Sequence, residues 1–240
     1  MIGKIKEILK EFKNKQKYIV KQNDELLWAS VFHDSIRGKK SLEELPLNIG
    51  RWAGSYALFY VLNRILNDYQ PKRILEFGLG ESSKFVSTYL DNYLLDSEHL
   101  ILEQDANWAT IFENKFKVSS RTSLKVLPLL KKKYKEFEYN GYENIEHTIN
   151  SNFDLYIIDG PFGSPNYSRF DIYNLAEKLT NQDDFIIIMD DYHRIGERQT
   201  TDELLSMFEA KNIKIYLAVY KGLKSVMIIA TEKYKYISSL

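Results

Sequence analysis

Arg73-Ile74-Leu75-Glu76-Phe77-Gly78-Leu79-Gly80-Glu81-Ser82-Ser83 is an apolar strand with a carboxylate near its end, a tight Gly-x-Gly turn, and the start of a helix. Glycine has no Cβ, so the backbone of such a turn can lie close to a nucleotide-like ligand. The helix that follows directs its free N–H groups at whatever occupies the turn. The stretch therefore predicts a ligand site between a strand and a helix of an α/β fold.

Strand and helix patterns alternate along the chain after this stretch. Repeated strand–helix units predict a Rossmann-like, doubly wound α/β sheet that is mostly parallel, and Lys221-Gly222 separates the strands of a C-terminal antiparallel hairpin. Ligands of such sheets bind at the carboxyl ends of the strands. Strands are expected at 72–77, 99–103, 123–127, 153–158, 184–189, 213–219 and 224–230, and helices near 82–95, 106–117, 168–180 and 198–211.

The predicted organisation has two parts, an N-terminal helical extension over 1–70 and the Rossmann-like domain over 71–240. The extension begins with an amphipathic helix near 2–22, looks irregular over 24–50, and ends in a helix over 54–68. The amphipathic helix has lysines between its apolar residues Ile2, Ile5, Ile8, Leu9 and Phe12. The domain carries a polar insertion near 130–152, rich in Lys and Tyr, which we expect to be solvated.

Composition excludes several classes of function. The 240 residues carry 33 Lys and Arg against 33 Asp and Glu, so no net charge favours nucleic acid as a partner. The absence of cysteine excludes disulfides, zinc thiolate sites and thiol nucleophiles. No apolar run is long enough for a membrane span, and Met1–Lys6 has no signal-peptide core, so a cytoplasmic protein is expected. The apolar face of helix 2–22 suits a homo-oligomer.

Four predicted strands end in carboxylates: Glu76, Glu103, Asp159 and the pair Asp190-Asp191. These ends share one edge of a parallel sheet, where like charges repel unless a cationic ligand or a divalent metal lies among them. Glu103 is suited to binding a ribose diol. Asp159, Asp190 and Asp191 supply the oxygen ligands that Mg²⁺ prefers. The alternative for each carboxylate is a helix cap or a loop hydrogen bond.

Residues next to these carboxylates extend the predicted site. His193 could act as a general base toward an acceptor hydroxyl, although a lone histidine is more often exposed or hydrogen-bonded. The Gly- and Pro-rich loop from Asp159 to Arg169 suits one wall of an acceptor pocket, with Tyr167 in it. Arg169 could grip a carboxylate or phosphate of the substrate, or simply pair with Asp171. Trp108 could flank an adenine or pack in the core.

These residues together resemble the class I S-adenosylmethionine-dependent methyltransferases. The first motif of that superfamily reads here as Glu76-x-Gly78-x-Gly80-x-Ser82, with serine in place of the third glycine. Asp-Gly-Pro and Asp-Asp-Tyr at two strand ends look like the metal-dependent sugar O-methyltransferases of macrolide biosynthesis, whose corresponding carboxylates hold magnesium. Phe77–Gly80, Leu102–Asp105 and the loop 159–169 also resemble the glucuronoxylan 4-O-methyltransferases of plants.

The resemblance implies an S-adenosylmethionine-dependent O-methyltransferase that acts on a carbohydrate hydroxyl of a small molecule or glycan. It implies a cofactor site of Glu76, Gly78, Gly80, Ser82, Glu103 and Asp159, a metal site of Asp159, Asp190 and Asp191, catalytic Asp159 and His193, and substrate contacts from Arg169 and Tyr167. Two alternatives remain open. One is a nicotinamide-dependent oxidoreductase, and the other is a non-catalytic, methyltransferase-like binding module.

Overall fold

The structure is a computed structural model that describes residues 2–50 and 52–240. Its helices are α1 (Ile2–Ser35), α2 (Lys40–Glu43), α3 (Tyr56–Asp68), α4 (Glu81–Asn92), α5 (Ala106–Lys115), α6 (Ile145–Thr148), α7 (Asp171–Ala176), α8 (Ile195–Ala210) and a C-terminal 3-10 helix (Glu232–Ser239). Its strands are β1 (Arg73–Phe77), β2 (Glu98–Glu103), β3 (Thr122–Val126), β4 (Leu129–Tyr134), β5 (Phe137–Tyr142), β6 (Leu155–Ile158), β7 (Ile186–Met189), β8 (Tyr216–Lys221) and β9 (Ser225–Ala230).

Seven strands form one sheet in the order β3-β2-β1-β6-β7-β9-β8. The first five of these are parallel, whereas β9 runs antiparallel to both β7 and β8. In register, Phe77 at the end of β1 pairs with Leu102 on one side and Ile158 on the other. The mostly parallel sheet and its C-terminal hairpin are therefore confirmed, and the carboxyl ends of β1, β2, β6 and β7 lie side by side.

Both faces of the sheet are covered by an apolar core. Alternate residues of a strand point to opposite faces, so Ile74 packs with α3 and α4 while Leu75 and Phe77 pack with α7 and α8. Strands β6 and β7 consist entirely of buried apolar residues, which is typical of a parallel sheet between two helical layers. The buried core fixes the strands firmly and leaves their carboxyl ends as the place where polar side chains can face a ligand.

The first helix of the N-terminal extension is longer than the sequence predicts. Helix α1 continues to Ser35, through part of the segment that was expected to be irregular. The reason is a second apolar face, on which Trp28 and Phe32 pack against α3 and α4. The Glu25 carboxylate accepts hydrogen bonds from the backbone N–H of Tyr56 (2.7 Å) and Leu223 (3.0 Å). The C-terminal half of α1 therefore shares one core with the sheet. No helix of the described ranges is long and apolar enough to cross a membrane.

The insertion near 130–152 is not a solvated excursion, and that expectation was wrong. Strands β4 and β5 form an antiparallel hairpin whose Tyr139 and Tyr142 are buried. The Tyr142 hydroxyl donates to the carbonyl of Leu102 (3.0 Å), and Lys132 Nζ lies 2.9 Å from the buried Asp171 carboxylate. Tyr134, Phe137 and Tyr139 share one face of the hairpin, which packs against Phe170 and Tyr173 at α7. Lys131 and Lys133 project from the other face and are exposed.

Candidate active site

A cavity of about 940 Å³ lies at the carboxyl edge of the sheet. Its described wall has two parts, which we call the turn side and the charged side. The turn side comprises Gly78, Leu79, Gly80, Glu81, Ser82, Glu103, Gln104 and Trp108. The charged side comprises Asp159–Pro165, Arg169, Asp191, Arg194, Glu197 and Lys224. The loop residues 48–50 and 52–54 lie over both.

Gly78 must be glycine for two independent reasons. Its φ of +93° lies in the left-handed region, and a Cβ there would come within 3.3 Å of the Gly160 backbone. The backbone N–H of Gly78 donates to the Leu102 carbonyl (2.8 Å), which ties the turn to β2. At Gly80, in contrast, no atom of the described chain lies within 4 Å of the position that a Cβ would take, so its open side faces the cavity.

The Glu103 carboxylate lines the turn side and is held by backbone N–H groups. Oε2 accepts from Leu79 (2.8 Å), and Oε1 accepts from Gln104 (2.8 Å) and Asp105 (2.9 Å). Burial raises the pKa of Glu103, although these N–H donors oppose the shift. Trp108 donates from Nε1 to the Leu79 carbonyl (2.7 Å), so its ring is fixed beside the turn. The result is a rigid hydrogen-bond acceptor next to a flat aromatic wall.

Glu76 lies beneath the turn, outside the described cavity wall. Its carboxylate is completely buried, accepts a hydrogen bond from Ser82 Oγ (2.5 Å), and lies 2.9 Å from His99 Nε2. Ser82, which replaces the third glycine of the motif, lines the cavity. Its hydrogen bond to Glu76 holds it in that position. Glu76 therefore supports the turn through Ser82, and its assignment to the cofactor site stays a prediction.

On the charged side, Asp159, Asp190 and Asp191 each place one oxygen within 4.8 Å of the others. The sequence predicts a cationic ligand or metal among these carboxylates, but the chain supplies positive charges of its own. Arg169 Nη2 lies 3.0 Å from Asp191 Oδ2 and 3.3 Å from Asp159 Oδ1. Lys224 Nζ lies 3.5 Å from Asp190 Oδ2 and 3.4 Å from Asp191 Oδ1. Arg169 thus pairs with the cluster, while Asp171 pairs with Lys132.

Two more charged residues join this cluster at the start of α8, Arg194 as the N-cap residue and Glu197 in the first turn. Arg194 Nη1 lies 3.0 Å from Asp191 Oδ2, and Glu197 Oε1 lies 3.8 Å from Arg169 Nε. Arg169 and Asp191 both have left-handed backbone, with φ of 61° and 57°. Such a conformation costs on the order of 1–3 kcal/mol per residue, so the surrounding ion pairs and the β6 and β7 ends must hold it.

The members of the cluster titrate differently because their surroundings differ. Burial and the nearby charge of Asp190 raise the pKa of Asp159 well above its usual range. Burial also opposes ionisation of Asp191, but Arg169, Lys224 and Arg194 outweigh it and lower the pKa of that carboxyl. Of the three aspartates, only Asp159 is partly exposed to the cavity, at 18% of its side chain. Asp159 is therefore the carboxylate best placed to take a proton from a bound molecule.

The donor set of the cluster fits a divalent cation in its chemistry. Three hard carboxylates converge, and both oxygens of Asp190 and Oδ1 of Asp191 have no hydrogen-bond partner within the described chain. The ammonium of Lys224 lies against the same oxygens and would compete with such an ion. The metal site of Asp159, Asp190 and Asp191 remains a prediction.

Two predicted site residues lie away from the described cavity wall. His193 is half-buried and is not part of the described cavity wall, and burial lowers its pKa. Tyr167 is buried, and its ring packs edge-on against Tyr134 (5.0 Å between centroids) in an aromatic cluster with the β4–β5 hairpin. The structure therefore brings Asp159 and Arg169 to the cavity, whereas His193 and Tyr167 are not part of its described wall.

Two exposed aromatic side chains at the cavity were not predicted, Trp52 (88% exposed) and Phe162 (69% exposed). The loop that carries Trp52 is tied to both sides of the site. The Asn48 N–H donates to the Glu81 carboxylate (2.9 Å), and Lys224 Nζ donates to the Ala53 carbonyl (3.0 Å). Lys224 gives no signal in the sequence, whereas the i, i+3 spacing of Asp191, Arg194 and Glu197 could have been recognised.

No protein-family model and no curated protein matches the chain. Solved structures do. A protein described as a putative O-methyltransferase from Klebsiella pneumoniae aligns with a TM-score of 0.51 and 18% identity over 84% of this chain and 89% of its own. The O-methyltransferase TomG from Streptomyces achromogenes, involved in tomaymycin synthesis and solved with S-adenosylmethionine, gives 0.52 and 14% over 85% and 89%.

An O-methyltransferase from Bacillus cereus, solved in complex with S-adenosylhomocysteine, gives a TM-score of 0.50 at 14% identity over 85% of this chain and 91% of its own. At such identities the likeness is one of fold. The sheet order, the antiparallel hairpin and the glycine turn at the end of β1 agree with it. The chain therefore has the fold of the class I S-adenosylmethionine-dependent methyltransferases.

Proposed function

We propose that the protein is an S-adenosylmethionine-dependent O-methyltransferase. The observation that carries the proposal is one cavity that joins the Gly78–Gly80 turn and Glu103 on one side to the partly exposed Asp159 on the other. A methyl donor on the turn side would face an acceptor hydroxyl on the charged side. The O-methyltransferases of the same fold, two of them solved with the cofactor or its product, support this assignment.

On the turn side, each residue has a proposed role toward the cofactor. Glu103 accepts a hydrogen bond from a ribose hydroxyl, because its oxygens have about four lone pairs and the three backbone donors leave one free on Oε2. The N-terminus of α4 and the open side of Gly80 receive the methionine carboxylate. The fixed ring of Trp108 forms the wall for the adenine. Glu76 holds Ser82, which is the third-glycine position of the turn.

The chemistry requires alignment and removal of one proton. The acceptor oxygen forms a bond to the methyl carbon while the carbon–sulfur bond breaks, and the hydroxyl proton passes to Asp159. The sulfonium already activates the methyl group, so in-line placement accounts for most of the acceleration. The raised pKa of Asp159 makes its carboxylate a stronger base than that of an ordinary aspartate. His193 is the second candidate for the base, and Asp159 is favoured because it lines the cavity whereas His193 is not part of the described wall.

The acidic cluster also supports a divalent cation as a proposal. Asp159, Asp190 and Asp191 would hold it through the oxygens that lack hydrogen-bond partners within the described chain. When bound, such an ion would supply positive charge that orients a hydroxyl and lowers its pKa. Arg169 and Lys224 supply positive charge at the same place, so no step above depends on the ion.

The acceptor proposed for the charged side is a carbohydrate hydroxyl. Sugars present apolar C–H faces that pack on aromatic rings and hydroxyls that bind charged groups. Trp52 and Phe162 offer exposed rings at the cavity, and the half-exposed Arg194 with Glu197 and Asp159 offers charged partners below them. The resemblance of the strand ends to sugar O-methyltransferases points the same way.

Titration calorimetry tests the cofactor. S-adenosylhomocysteine should bind, and NAD should not. Glu103→Ala should weaken S-adenosylhomocysteine about 30-fold, because a hydrogen bond to a charged group, which contributes about 1.5–3 kcal/mol, is lost. Glu98→Ala, at the exposed far end of β2, is the matched control and should bind like the wild type. Preference for NAD would instead establish the oxidoreductase alternative.

Transfer of a labelled methyl group to a panel of sugars, uronic acids and phenols tests the acceptor. Incorporation into a carbohydrate supports the proposal, and incorporation only into phenols would refute its substrate class. Binding of S-adenosylhomocysteine without transfer to any hydroxyl would support the non-catalytic alternative.

A further inference from the structure

The N-terminal half of α1 exposes a large apolar surface that the proposed active site does not use. Every residue from 3 to 23 is exposed. Large apolar side chains along α1 have half or more of their surface in solvent. One such residue alone would need no explanation, but a contiguous set marks an interaction surface. We name the following set the apolar stripe: Ile5, Ile8, Leu9, Phe12, Ile19, Val20, Leu26 and Leu27.

The apolar stripe follows a seven-residue repeat. Ile5, Phe12, Ile19 and Leu26 recur every seven positions and form one row. A second row, Leu9, Gln16 and Asn23, runs beside it. Two rows of this spacing are the pattern with which one helix packs along another in a coiled coil. The stripe spans about 120° of the helix surface, since successive residues advance by about 100°.

The helix packs on its own domain through the opposite face. Glu25, Trp28 and Phe32 contact α3, β8 and the turn after it, and they lie roughly half a turn away from Leu26 and the rest of the stripe. The domain therefore cannot cover the stripe without releasing these contacts. A second molecule can cover it and leave α1 docked as it is.

We propose that the apolar stripe binds the stripe of a second copy of this chain, with the two α1 helices parallel. Charge favours the parallel arrangement. Lysines 6, 13 and 15 flank the rows, and a parallel pair sets Lys13 against Ile8 and Lys15 against Val20 of the other copy. No flanking lysine then meets another lysine, and each of these two lysine stems packs over an apolar residue.

The polar members of the second row fit the same arrangement. In a parallel pair, Gln16 meets Gln16 and Asn23 meets Asn23, and amides can both donate and accept. A buried asparagine in such a row favours two-stranded pairing in register. The area also suffices. At about 100 Å² of apolar surface per side chain, the pair would bury on the order of 1,600 Å², the size of a standard stable interface.

Light scattering and sedimentation of the full chain test the pairing. The wild type should have twice the 28.3 kDa mass of one chain. The double variant Phe12→Glu, Ile19→Glu should raise the dimer dissociation constant at least 100-fold. The double variant Asn14→Glu, Tyr18→Glu adds the same charges on the opposite, exposed face of the helix and should leave the constant within about threefold. Both pairs lie outside the core, so both variants should fold and bind S-adenosylhomocysteine like the wild type if that cofactor is correct.

Single cysteines test the orientation, because the natural chain has none. Gln16→Cys and Asn23→Cys should each form a disulfide-linked dimer on mild oxidation, since each position meets itself in a parallel pair. Asn14→Cys, on the far face, should not. A dimer in which neither row position links would overturn the parallel arrangement.

A wild type that stays monomeric at every concentration would overturn the proposal. Sedimentation with vesicles of phosphatidylcholine and phosphatidylglycerol would then decide whether the lysine-flanked stripe binds an anionic membrane surface. Vesicle binding by a monomer, abolished in Phe12→Glu, Ile19→Glu, would assign the stripe to lipid. The dimer test does not use the active site, so its failure would leave the methyltransferase proposal unaffected. Failure of the methyltransferase proposal would likewise leave the dimer proposal unaffected.

Discussion

The two sides of the cavity are built in different ways. The turn side depends on the backbone of one short segment, on one carboxylate, and on hydrogen bonds to N–H groups that every sequence possesses. The charged side depends on side chains just past the ends of β6 and β7, before α7, at the start of α8 and before β9, which balance one another. Backbone geometry suits a cofactor that never changes, whereas a cluster of paired charges can be altered one residue at a time for a different acceptor.

The largest expected effect separates chemistry from cofactor binding. Asp159→Asn should lower the rate of methyl transfer about 10³-fold, because a general base contributes roughly 10²–10⁴. The affinity for S-adenosylhomocysteine should stay within about threefold, since the turn side is unchanged. Asp202→Asn, on the exposed face of α8, is the control. Equal loss of both properties would show that the two sides cannot be separated.

The pH dependence of the same variant sharpens this test. The rate of the wild type should rise as pH passes through the raised pKa of Asp159, and this limb should disappear in Asp159→Asn. The contribution of Asp159 to the free energy of unfolding should instead decrease as pH rises. The folded protein holds the Asp159 proton more tightly than the unfolded chain, so this contribution is complete below about pH 4 and is lost as pH rises through the folded pKa. Urea unfolding should show the wild type losing stability with rising pH relative to the variant.

Substitution of Lys224 tests how far the cations of the charged side stabilise its carboxylates. Lys224→Ala removes one cation from carboxylates that are largely buried, which should lower the free energy of unfolding by about 3 kcal/mol. Mg²⁺ should then stabilise this variant more than the wild type, because the ammonium no longer competes for Asp190 and Asp191. Lys221→Ala, exposed in the same hairpin, should change neither property. Thermal unfolding with Mg²⁺ or EDTA measures both, and identical responses in all three proteins would argue against a metal at this cluster.

Gly78 and Gly80 form a matched pair on the turn side. Gly78→Ala should cost about 1–2 kcal/mol of stability, because it forces an L-residue into the left-handed region against Gly160. Gly80→Ala should cost less than about 0.5 kcal/mol, since its new methyl group meets only the cavity. If the cofactor lies over the turn, Gly80→Ala should still weaken S-adenosylhomocysteine. Chemical denaturation and calorimetry on both variants make the comparison.

The smallest expected effect comes from removing a hydrogen bond between the β4–β5 hairpin and the end of β2, next to the turn. Tyr142→Phe removes the hydroxyl that donates to the Leu102 carbonyl, but that carbonyl still accepts from Gly78. Unfolding should become easier by about 1 kcal/mol, with cofactor affinity nearly unchanged. A large loss of affinity would mean that the hairpin positions the turn, in which case the insertion belongs to the cofactor site.

The turn side could be read from the sequence because its cause is local. Strand, glycine spacing and the acid that ends β2 lie within short segments, and each is visible in Arg73–Ser83 or Leu100–Glu103. The acidic strand ends were predicted for the same reason, because parallel strands must end at one edge. Lys224 was missed, because its role depends on β9 pairing with β7. The β4–β5 hairpin was missed because the run Lys131–Lys133 obscured the aromatic face formed by Tyr134, Phe137 and Tyr139.

The amino-acid sequence by itself determined the α/β fold, the glycine turn and the gathering of carboxylates at one edge. It did so because hydrophobic periodicity and glycine geometry act over a few residues. Only the tertiary structure decided which charges neutralise those carboxylates, that Glu76 lies buried beneath the turn, and that Trp52 and Phe162 stand at the cavity. Ion pairs and cavity walls join residues far apart along the chain, and their distances exist only once the core has packed.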